Sequence, residues 1–247
     1  MVKKILISQP EPTSENSPYY KIAEDCEVEL TFRPYIKIVG ISLKEFRQQK
    51  LEIGDYTAIV FTTRHAIDNY FAIAKELRYQ VPETTKYFCI SESIALYIQK
   101  YVQYRKRKVF FSTTGKIDEM LPAMQKHCKE NYLIPLSDVS GNSISQLLTE
   151  HGIKNTQCYL YRTVSNNFTP EELEKFKFNM GVFFSPLGIK AFHEDFPKPK
   201  RGFKIATFGA NTAKAARDLG LKIELEAPTD KYTSMTDALR HYLLSQQ

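Results

Sequence analysis

The chain has 247 residues, which is enough for one large domain or two modest ones. Hydrophobic residues make up 43% of it, an ordinary value for a globular protein, and no stretch approaches the roughly 18 apolar residues of a membrane span. The net charge of +6 is mild, so it suits an acidic small molecule as ligand but does not by itself indicate nucleic acid.

The first predicted element is a strand at Lys4–Ser8. Its apolar run is far too short for the core of a signal peptide, so we expect a protein of the cytoplasm. Short apolar runs recur along the chain and predict further strands. In chain order, these strands are Ala58–Thr62, Lys86–Ile90, Val109–Ser112, Tyr132–Leu136, Thr156–Leu160, Gly181–Phe184, Lys204–Phe208 and Lys222–Leu225.

Helical patterns lie between most of these strands. Apolar residues spaced three or four apart occupy residues 67–77, 144–148 and 213–219, and the last two patterns end before Gly152 and Gly220. This spacing with a terminal glycine predicts helices with C-caps. Alternating strands and helices are typical of layered α/β folds, so we predict two similar three-layer α/β/α domains with parallel sheets.

Similarity within the chain supports two domains. "AIVFTTRHAIDNYF" (58–71) resembles "MGVFFSPLGIKAF" (180–192), and "YFCISESIALYI" (87–98) resembles "IATFGANTAKAA" (205–216). The first alignment pairs Phe61 with Phe184, and the second pairs Ser91 with Gly209. Self-similarity about half a chain apart indicates an internal duplication.

Two β-rich segments, Leu30–Val39 and Tyr159–Ser165, lie where the chain would cross between the domains. We therefore predict a discontinuous domain of residues 1–33 plus 165–247 and an inserted domain of residues 38–160. Residues 34–37 and 161–164 would be linker strands. Together they would form a two-stranded β connector, with a cleft between the domains.

Signatures of nucleotide binding and metal binding are mostly negative. "FSTTGKID" (111–118) lacks the glycine and the hydroxyl residue that a P-loop needs, because Phe110 and Ile117 stand there. The five histidines show no ligand spacing, and the four cysteines are scattered, so we expect reduced thiols in the core. The basic run "RKRK" (105–108) is interpreted as a solvated turn, with an anion or nucleic-acid patch as the alternative.

Polar loops that follow predicted strands are more informative. In parallel α/β sheets, ligands bind outside the carboxyl ends of the strands, where helix N-termini offer unpaired N–H groups to carboxylates or phosphates. For any one loop, simple helix capping explains the hydroxyl residues equally well. The loops are Thr62-Thr63-Arg64, Ser91-Glu92-Ser93, Ser112-Thr113-Thr114-Gly115, Ser137-Asp138, Ser185-Pro186-Leu187-Gly188 and Gly209-Ala210-Asn211-Thr212.

Taken over its whole length, the chain resembles the uroporphyrinogen-III synthase family. The resemblance rests on the order and spacing of several stretches over nearly all 247 residues rather than on one motif. The stretches are "AIVFTTRHAI" (58–67), "LIPLSDVSGNSISQLLTEHGI" (133–153), "CYLYRTV" (158–164), "FFSPLGIKAF" (183–192), "IATFGANTAKAARDLGL" (205–221) and "LEAPTDKYTSMTDAL" (225–239).

The resemblance implies an enzyme that needs no cofactor or metal. Its substrate would be hydroxymethylbilane, a linear tetrapyrrole with eight carboxylates, which the family dehydrates and cyclises with inversion of the last pyrrole ring to uroporphyrinogen III. We expect the protein to be a monomer and to have no nucleic-acid or membrane partner. Tyr161, in "YLYRT", matches the family tyrosine proposed to assist departure of the hydroxyl group, although a purely structural role fits it equally well.

Further site residues follow partly from the resemblance and partly from the loops. The chain departs from the family pattern where Thr63-Arg64 replaces a common Ser-Pro, so Arg64 could contact a carboxylate directly. The alternative to an enzyme is a non-enzymatic two-lobed module that binds or senses small anions. The predicted substrate-binding residues are Thr62, Thr63, Arg64, Ser91, Ser93, Ser112, Ser137, Ser185, Pro186, Gly188, Gly209, Asn211 and Thr212.

Overall fold

A computed structural model describes residues 2–246, which form strands and helices in regular alternation. The strands are β1 (Lys4–Ile7), β2 (Glu29–Phe32), β3 (Ile36–Gly40), β4 (Ala58–Phe61), β5 (Lys86–Cys89), β6 (Val109–Phe111), β7 (Tyr132–Ser137), β8 (Asn155–Ser165), β9 (Met180–Phe183), β10 (Lys204–Phe208) and β11 (Ile223–Ala227). The helices are α1 (Pro18–Asp25), α2 (Leu43–Gln48), α3 (Arg64–Glu76), α4 (Glu92–Tyr97), α5 (Leu121–Lys126), α6 (Ser143–Glu150), α7 (Pro170–Glu174), α8 (Pro186–Asp195), α9 (Ala210–Asp218) and α10 (Met235–Leu244). Short 3-10 turns lie at Ile53–Asp55, Ile98–Lys100 and Ile117–Met120.

The chain divides into two compact units. One comprises Met1–Lys37 with Val164–Gln247, and the other comprises Ile38–Thr163. The first contains a five-stranded parallel sheet in the order β11-β10-β9-β1-β2. The second contains a six-stranded sheet in the order β3-β8-β7-β4-β5-β6, in which β8 through β6 are parallel.

The two sheets share one strand order. If β4, β5 and β6 are matched to β9, β10 and β11, then β7 and β8 correspond to β1 and β2, and the neighbours agree throughout. In each sheet the direction of winding reverses once, between β4 and β7 and between β9 and β1. The predicted fold class, two similar α/β units with parallel sheets, is confirmed.

Of the two residue pairings predicted between the repeats, that of Ser91 with Gly209 agrees with the structure, and that of Phe61 with Phe184 is wrong by one position. Phe61 and Phe183, not Phe184, end the equivalent strands β4 and β9. Thr63 and Ser185 are then the equivalent residues, because each caps the helix that follows. An aromatic side chain fits either face of a buried strand, whereas a hydroxyl that caps a helix must stand at one position, so the cap defines the register.

Alternation along the strands builds a core on both sides of each sheet. In β4, Ile59 and Phe61 face one layer, which includes Ile67 and Tyr70 of α3. Val60 faces the opposite layer. All four β4 residues are buried, as expected for a central parallel strand that is covered on both faces. No helix within residues 2–246 is long and apolar enough to cross a bilayer.

The other unit buries a tyrosine without a hydrogen-bond partner. Tyr35 is fully buried, and its ring lies 5.2 Å from that of Phe168, 5.8 Å from Phe183 and 5.9 Å from Phe192, centroid to centroid. Its hydroxyl contacts no hydrogen-bonding group in the described part of the chain. Burial raises the pKa of Tyr35, so the hydroxyl is neutral but desolvated.

We expect Tyr35→Phe to leave the free energy of unfolding unchanged or slightly increased, because no hydrogen bond is lost and a desolvated hydroxyl is removed. Tyr132→Phe is the matched control: Tyr132 is also fully buried, but its hydroxyl donates to Met124 O at 3.2 Å. That control should destabilise the protein by about 1 kcal/mol. Thermal unfolding midpoints compare the two variants, and an equal loss in both would contradict the prediction.

Candidate active site at the strand ends

The predicted polar loops lie at the carboxyl ends of parallel strands. They follow β4, β5, β6 and β7 in one sheet and β9 and β10 in the other. Within each sheet, these ends share one edge because the strands are parallel. The position where the winding reverses is where α/β sheets bind ligands, since the loops on its two sides diverge and leave a crevice.

At the reversal between β4 and β7, a buried tyrosine meets a helix cap. Tyr161 lies on β8 in register with Ser137, the last residue of β7, and it is 6% exposed. Its phenolic oxygen lies 3.0 Å from Thr63 Oγ1. Thr63 Oγ1 also accepts a hydrogen bond from Ala66 N at 3.0 Å, which caps α3. Two residues 98 positions apart thus share one hydrogen bond at the start of a helix.

The neighbouring loops contribute polar groups that differ in whether they are free to bind a ligand. Ser137 is buried, and its hydroxyl lies 2.8 Å from Ser140 Oγ within the turn after β7. Arg64 is exposed, and its guanidinium lies 5.1 Å above the ring of Tyr97. That cation–π contact orients the charge without neutralising it. Arg64 therefore keeps its capacity to bind a carboxylate.

Sequence reasoning missed His65, whose ring centroid lies 6.2 Å from that of Tyr161. The side chain is exposed in the first turn of α3. Its place directly after Arg64, in a loop already predicted to bind ligand, was the available signal. His65 adds an imidazole beside the tyrosine at this strand end.

The loop after β5 leaves its helix without a side-chain cap. Ser91 precedes α4, but its hydroxyl lies 3.1 Å from Ser93 Oγ instead of accepting from the helix backbone. Ser93 is exposed, and Thr62, after β4, is partly exposed. These hydroxyls are accessible to a ligand at the same edge.

In the other unit, three small residues converge where β9 lies beside β1. Ser185 Oγ accepts from Gly188 N at 3.0 Å, and Pro186 occupies the first turn of α8. A Cβ placed on Gly188 would lie 3.0 Å from Ser185 Oγ and 3.7 Å from Ser8 Oγ. Glycine thus allows the close approach of helix and strand ends. Ser8 was missed; its signal was its position directly after the first predicted strand.

The loop after β10 begins α9 with a glycine in an unusual conformation. Gly209 has φ +90°, which an L side chain rarely adopts, and it provides no side-chain cap. Asn211 is exposed, whereas Thr212 is only 2% exposed, so the threonine offers little surface to a ligand. Gly209 and Ser91 occupy equivalent positions in the two units, and both leave the following helix without a side-chain cap.

The sequence of this chain matches one family of known proteins. A family model described as uroporphyrinogen-III synthase HemD matches residues 19–237. The chain belongs to the uroporphyrinogen-III synthase family. Members are lyase-type enzymes of tetrapyrrole synthesis, which favours the enzyme over the binding-module alternative. No curated protein matches the sequence significantly.

One solved structure agrees with this chain in fold, and a second is similar at a lower score. The uroporphyrinogen-III synthetase of Helicobacter pylori 26695 is 17% identical, with a TM-score of 0.58, and the match covers 99% of this chain and 100% of that one. A mutant uroporphyrinogen III synthase from the extremely thermophilic bacterium Thermus thermophilus is 14% identical over 99% of this chain and 100% of that chain, with a TM-score of 0.48. At such identity the first likeness shows the α/β fold alone.

One predicted anion-binding loop of this uroporphyrinogen-III synthase family member already holds a carboxylate. Glu119 accepts hydrogen bonds from Ser112 Oγ at 2.7 Å and from Thr113 N and Oγ1 at 2.9 and 2.6 Å. It also accepts from Thr114 N and Oγ1, each at 2.9 Å. Ser112 is 1% exposed. The loop has the chemistry that was predicted for it, but its donors are engaged by the chain's own glutamate.

These donors stabilise the ionised form of Glu119. The Thr113 hydroxyl, then the Ser112 hydroxyl and the Thr114 N–H and hydroxyl, lower the pKa of Glu119 to about 2. The unfolded chain titrates its glutamates near pH ~4.3. Because the folded pKa is the lower one, the carboxylate stabilises the loop above about pH 4.3, and this contribution is lost as the pH falls towards 2.

Metal ligands do not cluster in the described structure. Within residues 2–246, no three or more His, Cys, Asp or Glu side chains are grouped as an ion would require. Burial raises the pKa of Cys89 and of Cys158 to about 12, which keeps both thiols neutral in the core. The prediction of core thiols is wrong for Cys128, which is exposed because it lies in the turn after α5.

We expect Glu119→Gln to speed hydrogen exchange of the Thr113 and Thr114 amides at neutral pH, because an amide oxygen accepts more weakly than a carboxylate. In the unsubstituted protein the same amides should lose protection only as the pH falls from about 4.3 towards 2, and the variant should lack this dependence. Asp118→Asn, which neutralises the exposed neighbour, is the control and should leave exchange unchanged. NMR exchange rates that do not differ between the two variants would contradict the assignment.

Proposed function

We propose that this protein is a uroporphyrinogen-III synthase that dehydrates and cyclises hydroxymethylbilane with inversion of the terminal pyrrole ring, using no cofactor. Family membership supports the general activity. The observation that carries the finer proposal is the hydrogen-bonded pair of Tyr161 and Thr63 at the reversal between β4 and β7. This pair supports the proposal because the strand-end edge of an α/β sheet, at a reversal of winding, is where such sheets generally bind ligands.

Neutral donors and one cation would bind the carboxylates of this substrate. Hydroxyl and backbone N–H groups at strand ends bind carboxylates without the desolvation that a set of buried charges would require. Ser112 and Ser137 are engaged within their own turns, and Thr212 is buried. Thr63 caps α3 and contacts Tyr161, so the proposal rests on the other nine predicted residues. They are Thr62, Arg64, Ser91 and Ser93 in one unit, and Ser185, Pro186, Gly188, Gly209 and Asn211 in the other.

Tyr161 would act as the general acid of the dehydration. Its O–H bond breaks as the proton moves to the hydroxyl oxygen of the substrate. The carbon–oxygen bond breaks with both electrons on oxygen, and water leaves. The adjacent pyrrole nitrogen supplies the electron pair of the new double bond. The substituted carbon of the last pyrrole then bonds to the carbon that lost its hydroxyl group, and the bond from that substituted carbon to its original bridging carbon breaks. The bridging carbon bonds to the unsubstituted carbon of the same pyrrole, which gives its proton to the phenolate as the ring becomes aromatic again. A positioned acid of this kind contributes about 10²- to 10⁴-fold to a rate.

The remaining barrier to the type III product is conformational, because the substituted carbon of the last pyrrole must attack. Binding several carboxylates at once holds the linear substrate in one geometry, and such positioning can lower the activation barrier by several kcal/mol.

We propose in addition that the protein is a cytoplasmic monomer without a nucleic-acid partner. Sedimentation of the purified protein and imaging of a tagged chain in its cell test these two points.

We expect the purified protein, after dialysis against a chelator and without added nucleotide, to convert freshly prepared hydroxymethylbilane to the type III isomer. Spontaneous closure gives the type I isomer, so chromatography of the oxidised products separates the two routes. Heat-denatured protein is the control for the spontaneous rate. Accumulation of type I product alone, at that rate, would refute the proposed function.

We expect Tyr161→Phe to lower kcat about 100-fold, because the general acid is lost. Tyr159→Phe is the matched control, because Tyr159 lies on the same strand but is 38% exposed. The kcat of this variant should stay within about twofold of that of the unsubstituted protein. Thermal unfolding midpoints of both variants establish that they are folded. An unchanged kcat in Tyr161→Phe would remove this residue from the mechanism.

A further inference from the structure

We propose that Thr63 is a positioning residue that links the N-terminus of α3 to the phenol of Tyr161 and stabilises the phenolate formed when Tyr161 gives up its proton. This inference rests on the proposed function, because it concerns the same dehydration. It differs from the expectation that Thr63 contacts a substrate carboxylate.

The hydrogen bonds around Thr63 determine which oxygen is the donor once Tyr161 has lost its proton. A threonine hydroxyl carries one hydrogen and two lone pairs. Ala66 N–H, 3.0 Å away, donates to one lone pair, which leaves the second lone pair and the hydroxyl hydrogen. Within residues 2–246, the other hydrogen-bond partner of this hydroxyl is Tyr161 Oη, at 3.0 Å, and either oxygen can donate while both groups are neutral. A phenolate has no proton, so Thr63 must then be the donor to Tyr161 Oη.

The proton of Tyr161 is free for the substrate when Thr63 is the donor. If Tyr161 donates to Thr63, the two hydroxyl groups must first rotate so that Thr63 donates instead. In that arrangement the Tyr161 proton has no acceptor in the described structure and can be transferred to the substrate. Tyr161 as a whole residue is 6% exposed.

The same arrangement becomes stronger as the proton leaves. A hydrogen bond to a charged acceptor is roughly twice as strong as one between neutral groups. The Thr63 hydroxyl is polarised by the Ala66 N–H, and the start of the 13-residue helix α3 carries a partial positive charge. Both effects act on the phenolate more than on the neutral phenol. They therefore favour the transition state over the bound substrate, which raises kcat rather than affinity.

Thr63 has a second role that any test must separate from the first, because it caps α3. Thr63→Val keeps the shape but loses both the cap and the donor. Thr63→Ser keeps both. Thr63→Asp keeps the cap, since a carboxylate accepts from Ala66 N–H, but it cannot donate to Tyr161. Ser234→Ala removes the cap of α10 in the other unit and serves as a control for capping alone.

The experiment is a double-mutant cycle of Thr63→Val and Tyr161→Phe with freshly prepared hydroxymethylbilane as substrate. We expect Thr63→Val and Thr63→Asp each to lower kcat by about 10- to 100-fold with KM within about twofold, as the loss of one charge-assisted hydrogen bond predicts. Thr63→Ser and Ser234→Ala should stay within about threefold of the unsubstituted protein. The double variant should be no slower than Tyr161→Phe alone, because Thr63 acts only through the phenol.

Several results would overturn the inference. If the losses of kcat were additive in the double variant, or if KM rose without a fall in kcat, Thr63 would be a direct carboxylate ligand or only a helix cap. Full activity in Thr63→Asp would show that capping alone is needed. An unchanged kcat in Tyr161→Phe would overturn it as well. In each case the type III product of the unsubstituted protein would still establish the proposed function, which fails only if type I product forms.

Discussion

Burial of parallel sheets on both faces is the constraint on which the rest of this structure depends. Strands such as β4 are apolar along their whole length, so they can carry no chemistry within the sheet. The polar loops follow the ends of the strands, and parallel pairing collects those ends on one edge. The duplicated strand order gives each unit such an edge, with one reversal of winding in each. The fold therefore limits where a site can form before any catalytic residue is considered.

At these edges, hydroxyl residues divide between two uses. Thr63 and Ser185 cap the helices that follow them, while Ser91 and Gly209, equivalent to each other in the two units, do not. Capping satisfies a backbone N–H, and an uncapped helix start leaves N–H groups for another acceptor. Thr63 does more than cap, because its hydroxyl also reaches Tyr161. A hydroxyl residue thus caps a helix at both loops, and at one of them it also contacts a buried tyrosine.

The loop after β6 shows how well such donors hold a carboxylate. Five hydrogen bonds from three consecutive residues surround Glu119 and lower its pKa to about 2. No lysine or arginine is among these donors. The proposed substrate, with many carboxylates, could be bound on the same principle, which is compatible with a net charge of only +6.

Much of the fold could be predicted from the sequence, because strand and helix signals are local. Strand β10 has its predicted bounds, and the polar loops lie at strand ends as expected. The functional arrangement could not be predicted. The contact between Thr63 and Tyr161, the approach of Ser8 to Gly188 and the capture of the loop by Glu119 depend on which strands become neighbours and how side chains turn within a loop. Periodicity and capping signals extend over about four residues. Partners further apart are brought together by sheet order and packing, so the chemistry of this protein becomes visible once the strands are assembled.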